Sequence, residues 1–153
     1  MGLPYRKGVG IFLLNNKKDL WIGRRIDNKN EFWQMPQGGK EECESYSDAM
    51  FRELKEEVGT NNVKILKESN CLLTYDLPKN LINNVWSGKY KGQAQKWFAC
   101  EFLGKDSEIN IEYFEPEFCE WKWVKPYQIK ELAVPFKREM YVEILDIFSD
   151  FYN

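Results

Sequence analysis

The feature that most constrains this chain is a cluster of three acidic residues on one predicted helix. Between Gly38 and Gly59 the sequence reads GGKEECESYSDAMFRELKEEVG, and its acids include Glu53, Glu56 and Glu57. At ~100° per residue, these three carboxylates lie together beside an apolar face. That apolar face consists of Met50, Phe51, Leu54 and Val58. Like charges at this spacing destabilise a helix by a few tenths of a kcal/mol per pair unless a cation offsets them.

Considered alone, the acidic cluster has two interpretations. An acidic run is most often a solvated helix face. Alternatively, hard divalent ions such as Mg²⁺ prefer carboxylate oxygens and accompany phosphate substrates. The residues around the cluster distinguish these two interpretations.

Length and composition predict one soluble domain covering residues 1–153. A chain of 153 residues has about the most common size of a single domain and can bury a sizeable core. No apolar run approaches the ~18 residues of a membrane span, and the start MGLPYRKGVG lacks the pattern of a signal peptide. We therefore expect a cytoplasmic protein that does not contact membranes.

The absence of histidine narrows the chemistry further. A Ser-His-Asp triad is excluded, so a general base must be Glu, Asp, Lys, Tyr or metal-bound water. The four cysteines have no C-x-x-C spacing, which favours free thiols over a structural zinc site. A net charge of −2 argues against a protein that coats DNA or long RNA, although a local basic cluster could hold one nucleotide end.

The pattern of apolar and turn residues predicts an α+β fold with a mixed central sheet and helices on both sides. The acidic helix has Ser45 or Ser47 as its N-cap and ends at Gly59. A tight loop is predicted at residues 36–39 and an irregular excursion at residues 77–93. Predicted strands cover residues 9–14, 20–25, 32–35, 63–68, 71–75, 96–103 and 120–124, the first two forming a hairpin. Two further helices are predicted near residues 127–132 and 136–151.

The residues around the acidic cluster match a longer pattern, G-x5-E-x7-R-E-U-x-E-E-x-G-U, where U is a bulky aliphatic residue. The matching positions are Gly38, Glu44, Arg52, Glu53, Leu54, Glu56, Glu57 and Gly59. The chain therefore resembles the Nudix hydrolases, whose box has this form. Only the last position departs, because Thr60 replaces the aliphatic residue at a packing position.

Residues outside the box narrow the resemblance to one branch of the family. This chain is similar to the bacterial RNA pyrophosphohydrolases, which are close to the dinucleoside polyphosphate hydrolases. The matching segments are Tyr5-Arg6, Arg24-Arg25, Trp33-Gln34, Pro36-Gln37-Gly38-Gly39, Tyr75, Leu77-Pro78-Lys79, Gly92-Gln93, Gln95-Lys96-Trp97-Phe98, Pro116-Glu117-Phe118, Trp121, Trp123-Val124 and Phe136-Lys137-Arg138. The segment at residues 26–32 is longer than the family's usual turn. The resemblance implies a Nudix-type α/β/α sandwich.

The resemblance also implies the catalytic roles. Glu53, Glu56 and Glu57 would hold Mg²⁺, which activates a water for in-line attack on phosphorus, and Mn²⁺ suits the same oxygen ligands. Arg52 and Glu44 would orient these side chains; a surface ion pair is the competing interpretation.

A further acid is expected from a loop opposite the box, as a metal ligand or a base. Glu117 matches that position in the family. Glu120 is the nearby alternative, and without the resemblance either glutamate would be interpreted as a solvated loop charge.

Substrate contacts follow from the same resemblance and from the need for cations near a polyphosphate. Tyr75 and Phe136 offer base-stacking surfaces, although Phe136 could instead anchor the last helix. The basic residues could each be ordinary surface charges, and the two glycines could simply form a tight turn. The expected contact residues are Arg6, Arg25, Gln37, Gly38, Gly39, Tyr75, Lys96, Phe136, Lys137 and Arg138.

The expected activity is hydrolysis of the 5′-triphosphate end of RNA to a monophosphate. The alternative within the same chemistry is hydrolysis of dinucleoside polyphosphates such as diadenosine tetraphosphate. A different class, a non-catalytic protein that binds nucleotide ends, conflicts with the intact set of acids. Nucleotide preference, metal number, oligomeric state and protein partners stay open.

Overall fold

The computed structural model describes residues 2–27 and 31–153, so residues 28–30 of the segment at 26–32 lie outside the described residues. Within the described ranges, the strands are β1 (Tyr5–Leu14), β2 (Leu20–Arg25), β3 (Trp33–Gln34), β4 (Gln37–Gly39), β5 (Val63–Glu68), β6 (Leu73–Asp76), β7 (Gly92–Phe102) and β8 (Phe118–Val124). The α-helices are α1 (Tyr46–Val58), α2 (Ile129–Leu132) and α3 (Arg138–Ile147). None of these helices is long and apolar enough to cross a membrane.

The strands form one mixed sheet around a parallel pair. β1 and β7 run parallel from Tyr5 opposite Gly92 to Leu14 opposite Glu101. The sheet order is β3-β2-β1-β7-β5, and β4, β6 and β8 join it by pairing with β1, β7 and β2. The other pairings are antiparallel, and β1 and β2 form the predicted hairpin.

The core divides into two clusters, one on each face of the sheet, because successive strand residues point to opposite faces. On β1, Phe12 and Leu14 contribute to the cluster that includes α3 residues. Ile11 and Leu13 contribute to the cluster that includes the apolar face of α1. This arrangement confirms the predicted α+β class and the α/β/α sandwich.

Helix α1, which carries the acidic cluster, begins and ends at the predicted signals. Ser45 is its N-cap, and the Ser45 side chain accepts a hydrogen bond of 3.1 Å from the Asp48 N–H. Gly59 ends the helix in the left-handed region at φ 87°, and its N–H donates to the Lys55 carbonyl. Ser47, the alternative N-cap, lies inside the helix.

Several predicted bounds were wrong. Residues 37–39, predicted as part of a tight loop, form β4, because glycines at positions 38 and 39 allow close pairing with β1. β7 begins at Gly92 rather than at residue 96, since pairing with β1 and β6 on either side stabilises its polar start. The last predicted helix is shorter, and α3 is flanked by 3₁₀ turns at Pro135–Lys137 and Ser149–Phe151.

We expect Gly59→Ala to lower the free energy of unfolding by about 1 kcal/mol or more. A side chain at φ 87° is strained, and its Cβ would collide with the backbone of Asn110. Urea unfolding should show a lower midpoint with an unchanged slope. Gly2→Ala is the matched control, because its Cβ would meet nothing within 4 Å. Equal midpoints for the two variants would contradict this account of the helix end.

Candidate active site

A cavity of about 680 Å³ opens between β4, the start of β7 and the turn before α3. It brings together most of the predicted site residues from distant parts of the chain. Those that line it are Arg6, Arg25, Gln37, Gly38, Gly39, Glu53, Glu57, Tyr75, Glu117, Phe136 and Lys137. The cavity has the size and the mixed polar and aromatic lining of a small-ligand site.

Glu57 is the buried acid of the cavity, with 6% of its surface exposed. Its Oε1 accepts a hydrogen bond of 2.8 Å from the Gln37 N–H. Burial raises the pKa of Glu57 well above its usual range, and the nearby charges of Glu53 and Glu117 raise it further, while the Gln37 N–H and Arg25 lower it. Without a compensating cation, Glu57 therefore holds its proton more readily than an exposed glutamate does.

Arg52 connects the neighbouring acids. Its Nε and Nη2 bind the two carboxylate oxygens of Glu44 at 3.1 and 2.6 Å. Its Nη1 contacts Glu53 Oε1 at 2.8 Å and Glu56 Oε2 at 3.3 Å. Nη2 also donates to the Gly39 carbonyl at 2.8 Å, which ties α1 to β4. This bidentate, charge-assisted arrangement supports the orienting role predicted for Arg52 and Glu44.

The three predicted metal-binding carboxylates do not converge on one point. Within residues 2–27 and 31–153, no group of three or more His, Cys, Asp or Glu side chains lies close enough to hold a metal ion. The physical reason is that Arg52 attracts Glu53 and Glu56, whereas Glu57 faces the Gln37 N–H.

The available donors nevertheless suit a hard divalent cation. Glu57 is a buried carboxylate, and Gln37 Oε1 is a buried acceptor without a partner among the described residues. Both residues line the cavity. A buried oxygen that lacks a donor is destabilising unless a ligand satisfies it, so the chemistry of these groups fits Mg²⁺ or Mn²⁺.

The two candidates for the further acid differ in position. Glu117 lines the cavity, contributes to the raised pKa of Glu57, and lies 3.3 Å from Arg25 Nη2. Glu120 is half exposed and accepts a hydrogen bond of 2.7 Å from Arg24 Nε. The geometry therefore favours Glu117 over Glu120 as the acid that faces α1.

Arg6 and Arg25 both supply positive charge to the cavity lining. The Arg6 guanidinium lies 5.3 Å from the centre of the Trp86 ring, a cation–π distance, and approaches Gly39 so closely that a Cβ there would collide with it. Arg25 donates two hydrogen bonds of 2.9 Å to Asp27. Both guanidiniums are held in place before any ligand binds.

Lys137 is a buried cation, with 6% of its surface exposed. Its Nζ donates a hydrogen bond of 3.1 Å to Gln34 Oε1 and lies 5.1 Å from the centre of the Tyr75 ring. Burial, together with the charge of Arg25, lowers the pKa of Lys137 to about 7, although the nearby acids Glu57, Asp27 and Glu117 raise it. The Nε2 of Gln34 is buried without a partner among the described residues, so this end of the cavity has spare hydrogen-bond donors.

Two predicted contact residues, Lys96 and Arg138, lie outside the cavity and contact other parts of the protein. Lys96 forms an ion pair of 3.0 Å with Glu68, because strand alternation directs it to the opposite face of β7 from Gln93 and Gln95. Arg138 donates to the Lys130 carbonyl at 2.7 Å and connects α3 to α2.

Sequence reasoning did not assign roles to Gln34, Trp86 and Gln93, which also line the cavity. Gln34 and Gln93 lie in segments that matched the family. An uncharged amide carries no compositional signal of function, so only the structure shows its position. Trp86 lies in the irregular segment after β6. An aromatic residue within a polar loop is a sequence signal that could have identified it as a functional residue.

Comparisons with known proteins extend along nearly the whole chain. The NUDIX domain model matches residues 4–144. A Pelagibacter ubique protein named RNA pyrophosphohydrolase is 46% identical over 153 residues, covering 100% of this chain and 97% of that protein. A protein of the same name from Orientia tsutsugamushi (strain Boryong) is 47% identical over 149 residues, covering 97% and 92%.

A solved structure supports the fold independently. The E. coli dihydroneopterin triphosphate pyrophosphohydrolase aligns with a TM-score of 0.73 at 18% identity, covering 94% of this chain and 99% of that chain. At this identity the likeness concerns the fold alone.

The buried charge of Lys137 predicts a pH-dependent stability difference between the wild type and Lys137→Met. With a pKa of about 7 folded and about 10.5 unfolded, the unfolded chain binds the extra proton between these values. The free energy of unfolding of the wild type, relative to the variant, should therefore rise with pH by up to about 1.4 kcal/mol per unit above pH 7. Urea unfolding at pH 7, 8 and 9 measures this slope.

The control for this experiment is Lys130→Met, because Lys130 is exposed. Its stability difference from the wild type should show no comparable rise. A flat difference for Lys137→Met across the same range would show that the ammonium is not destabilised by burial.

Proposed function

The chain belongs to the Nudix family, and from this membership we propose that it hydrolyses the 5′-triphosphate end of RNA, leaving 5′-monophosphate RNA and releasing pyrophosphate. Two relatives that are 46% and 47% identical to this chain, and that it covers over 97% and 92% of their length, carry the name RNA pyrophosphohydrolase. The observation that supports catalysis most directly is the buried carboxylate of Glu57 in a cavity lined by cationic groups. We propose that residues 1–153 form one domain and that the protein acts in the cytoplasm on RNA ends.

Hydrolases of this family generally use divalent metal ions. We propose that Glu53, Glu56, Glu57 and Glu117 hold Mg²⁺, with Mn²⁺ as a suitable substitute. A bound ion would supply charge neutralisation at the phosphates and an activated water. The proposed contribution of Arg52 is to fix the positions of Glu53 and Glu56 through the contacts described above.

The basic residues of the cavity account for binding of the phosphate chain. The forked guanidinium donors of Arg6 and Arg25 suit phosphate oxygens. Lys137 adds a third cation beside Gln34. An anionic substrate at this end would favour the charged form of Lys137, so binding and protonation would support each other.

A second candidate substrate class is the dinucleoside polyphosphates. The Tyr75 and Phe136 rings lie 5.9 Å apart at 35°, and together they offer a surface on which a nucleobase can stack. A dinucleoside polyphosphate and an RNA end both carry a base beyond a phosphate chain. The same cavity residues therefore serve either substrate.

The proposed metal role predicts a separation of activity from stability in Glu57→Gln. The amide keeps an oxygen that can accept from the Gln37 N–H but loses the charge, so kcat should fall by several orders of magnitude while Tm does not fall. Steady-state kinetics and thermal unfolding measure the two effects. The control is Glu112→Gln, since Glu112 is exposed and outside the cavity. Turnover near the wild-type rate in Glu57→Gln would rule out the assigned role.

The substrate class is decided by a direct comparison of kcat/KM. Short RNA with a 5′-triphosphate and diadenosine tetraphosphate should each be tested with Mg²⁺ and with a chelator. We expect RNA to be the better substrate and chelation to abolish both reactions. RNA left intact beside rapid cleavage of the dinucleotide would favour the second candidate, and binding without turnover of either would favour a non-catalytic protein.

A further inference from the structure

Three buried side chains on one face of β7 form a continuous hydrogen-bonded line. Gln93, Gln95 and Trp97 alternate along the strand, and their exposed fractions are 2%, 0% and 0%. The Trp97 Nε1–H donates to Gln95 Oε1 at 3.0 Å. Gln95 Nε2 in turn donates to Gln93 Oε1 at 2.6 Å. The line begins in the core and ends at Gln93, which lines the cavity.

The chemistry of the indole sets the direction of this line. An indole nitrogen can only donate, so Gln95 must present its oxygen to Trp97. Gln95 then has only its amide nitrogen to offer, and Gln93 must accept with its own oxygen. The remaining group of Gln93, the Nε2 amide, has two N–H donors. Within the part of the chain that the structure describes, the recorded side-chain hydrogen bond of Gln93 is the one that its oxygen accepts, and its amide nitrogen has no donor contact.

The position of Gln93 defines what its amide can meet. Gln93 lies opposite Arg6 on β1 and opposite Tyr75 on β6, and all three residues line the cavity. A side chain at Gly8 would collide with both the Gly38 carbonyl oxygen and Gln93 Oε1. The Gln93 side chain therefore lies close to β4. In the sheet, Gln93 is flanked by Arg6 on β1 and by Tyr75 on β6.

We propose that Gln93 is a substrate-binding residue that donates a hydrogen bond to a phosphate oxygen of the substrate, and that Trp97 is a positioning residue that fixes this donor through Gln95. The inference rests on the proposed function and adds a named contact to it. Phosphate oxygens accept but do not donate, so an amide held as a donor is suited to them. An amide free to rotate would present its oxygen half of the time and would repel the same group.

A phosphate fits this position better than a nucleobase does. The neighbour of Gln93 on β1 is a guanidinium, and the adjacent strand β4 lies against Glu53, close enough that a Cβ at Gly38 would collide with that carboxylate. Arg6, Gln93 and Glu53 line the same cavity, so a polyphosphate bound beside Gln93 has a cation and a proposed metal ligand within that cavity. Tyr75 lies on β6, on the other side of β7 from Arg6, and its ring contacts that of Phe136. In this arrangement the nucleobase of the substrate would stack on the aromatic pair and the phosphates would lie near Arg6.

Kinetic comparison of three variants tests the proposal. Gln93→Met keeps the size of the side chain without donors, and we expect KM for 5′-triphosphate RNA to rise about tenfold with kcat changed less than about threefold. Trp97→Phe removes the donor that starts the line, and KM should rise at least twofold. Trp21→Phe is the matched control, because Trp21 is also fully buried but its Nε1 has no partner among the described residues. Its KM should not change, even if its Tm falls as that of Trp97→Phe does.

A binding measurement separates this inference from the proposed function, since it needs no turnover. In ¹⁵N-labelled wild-type protein, the side-chain amide signal of Gln93, identified by its absence from Gln93→Met, should shift on titration with inorganic tripolyphosphate. An unshifted signal, or an unchanged KM in Gln93→Met, would overturn the proposal and leave the hydrolase assignment intact. If the wild type cleaves neither substrate, the hydrolase assignment fails, and the titration alone decides the role of Gln93.

Discussion

The arrangement of the site depends on one guanidinium placed among four carbonyl and carboxylate partners. The acids of α1 repel one another, and burial increases that repulsion because water cannot screen it. Arg52 offsets the charge from within the same helix, and it also binds Glu44 and the Gly39 carbonyl. The Arg52 side chain thus fixes the positions of α1, of the loop that precedes it and of β4 relative to one another. These positions determine the shape of the cavity.

The absence of side chains is equally important on the strand side of the site. Positions 8, 38 and 39 leave no space for a Cβ, because the neighbouring atoms are a carbonyl oxygen, a carboxylate and a guanidinium. Glycine at these positions lets charged groups and backbone approach one another more closely than other residues would allow. Ion pairs on α1 and close backbone contacts on the strands therefore bring the polar groups of the cavity lining close together.

Local patterns in the sequence were sufficient to predict much of this structure. The 3.6-residue periodicity identified the buried face of α1, and Ser45 and Gly59 marked its ends, since capping depends on nearby residues only. Lys96 and Arg138 do not line the cavity, because strand register and helix packing, which a preference for cations does not take into account, determine where their side chains lie. The positions of Glu53 and Glu56 relative to Glu57 depend on competing hydrogen bonds, which residue spacing does not encode. Gln34 and Gln93 were missed because an uncharged amide gives no signal in the sequence, and only the fold shows that both side chains line the cavity.

The parallel pairing of β1 with β7 also has a consequence for biosynthesis. The centre of the sheet joins residues 5–14 to residues 92–102, so it cannot assemble until the intervening residues have left the ribosome. Contacts so distant in sequence make folding slower than it is for locally connected chains. Until β7 has been synthesised, the apolar first strand therefore lacks its principal neighbour in the sheet.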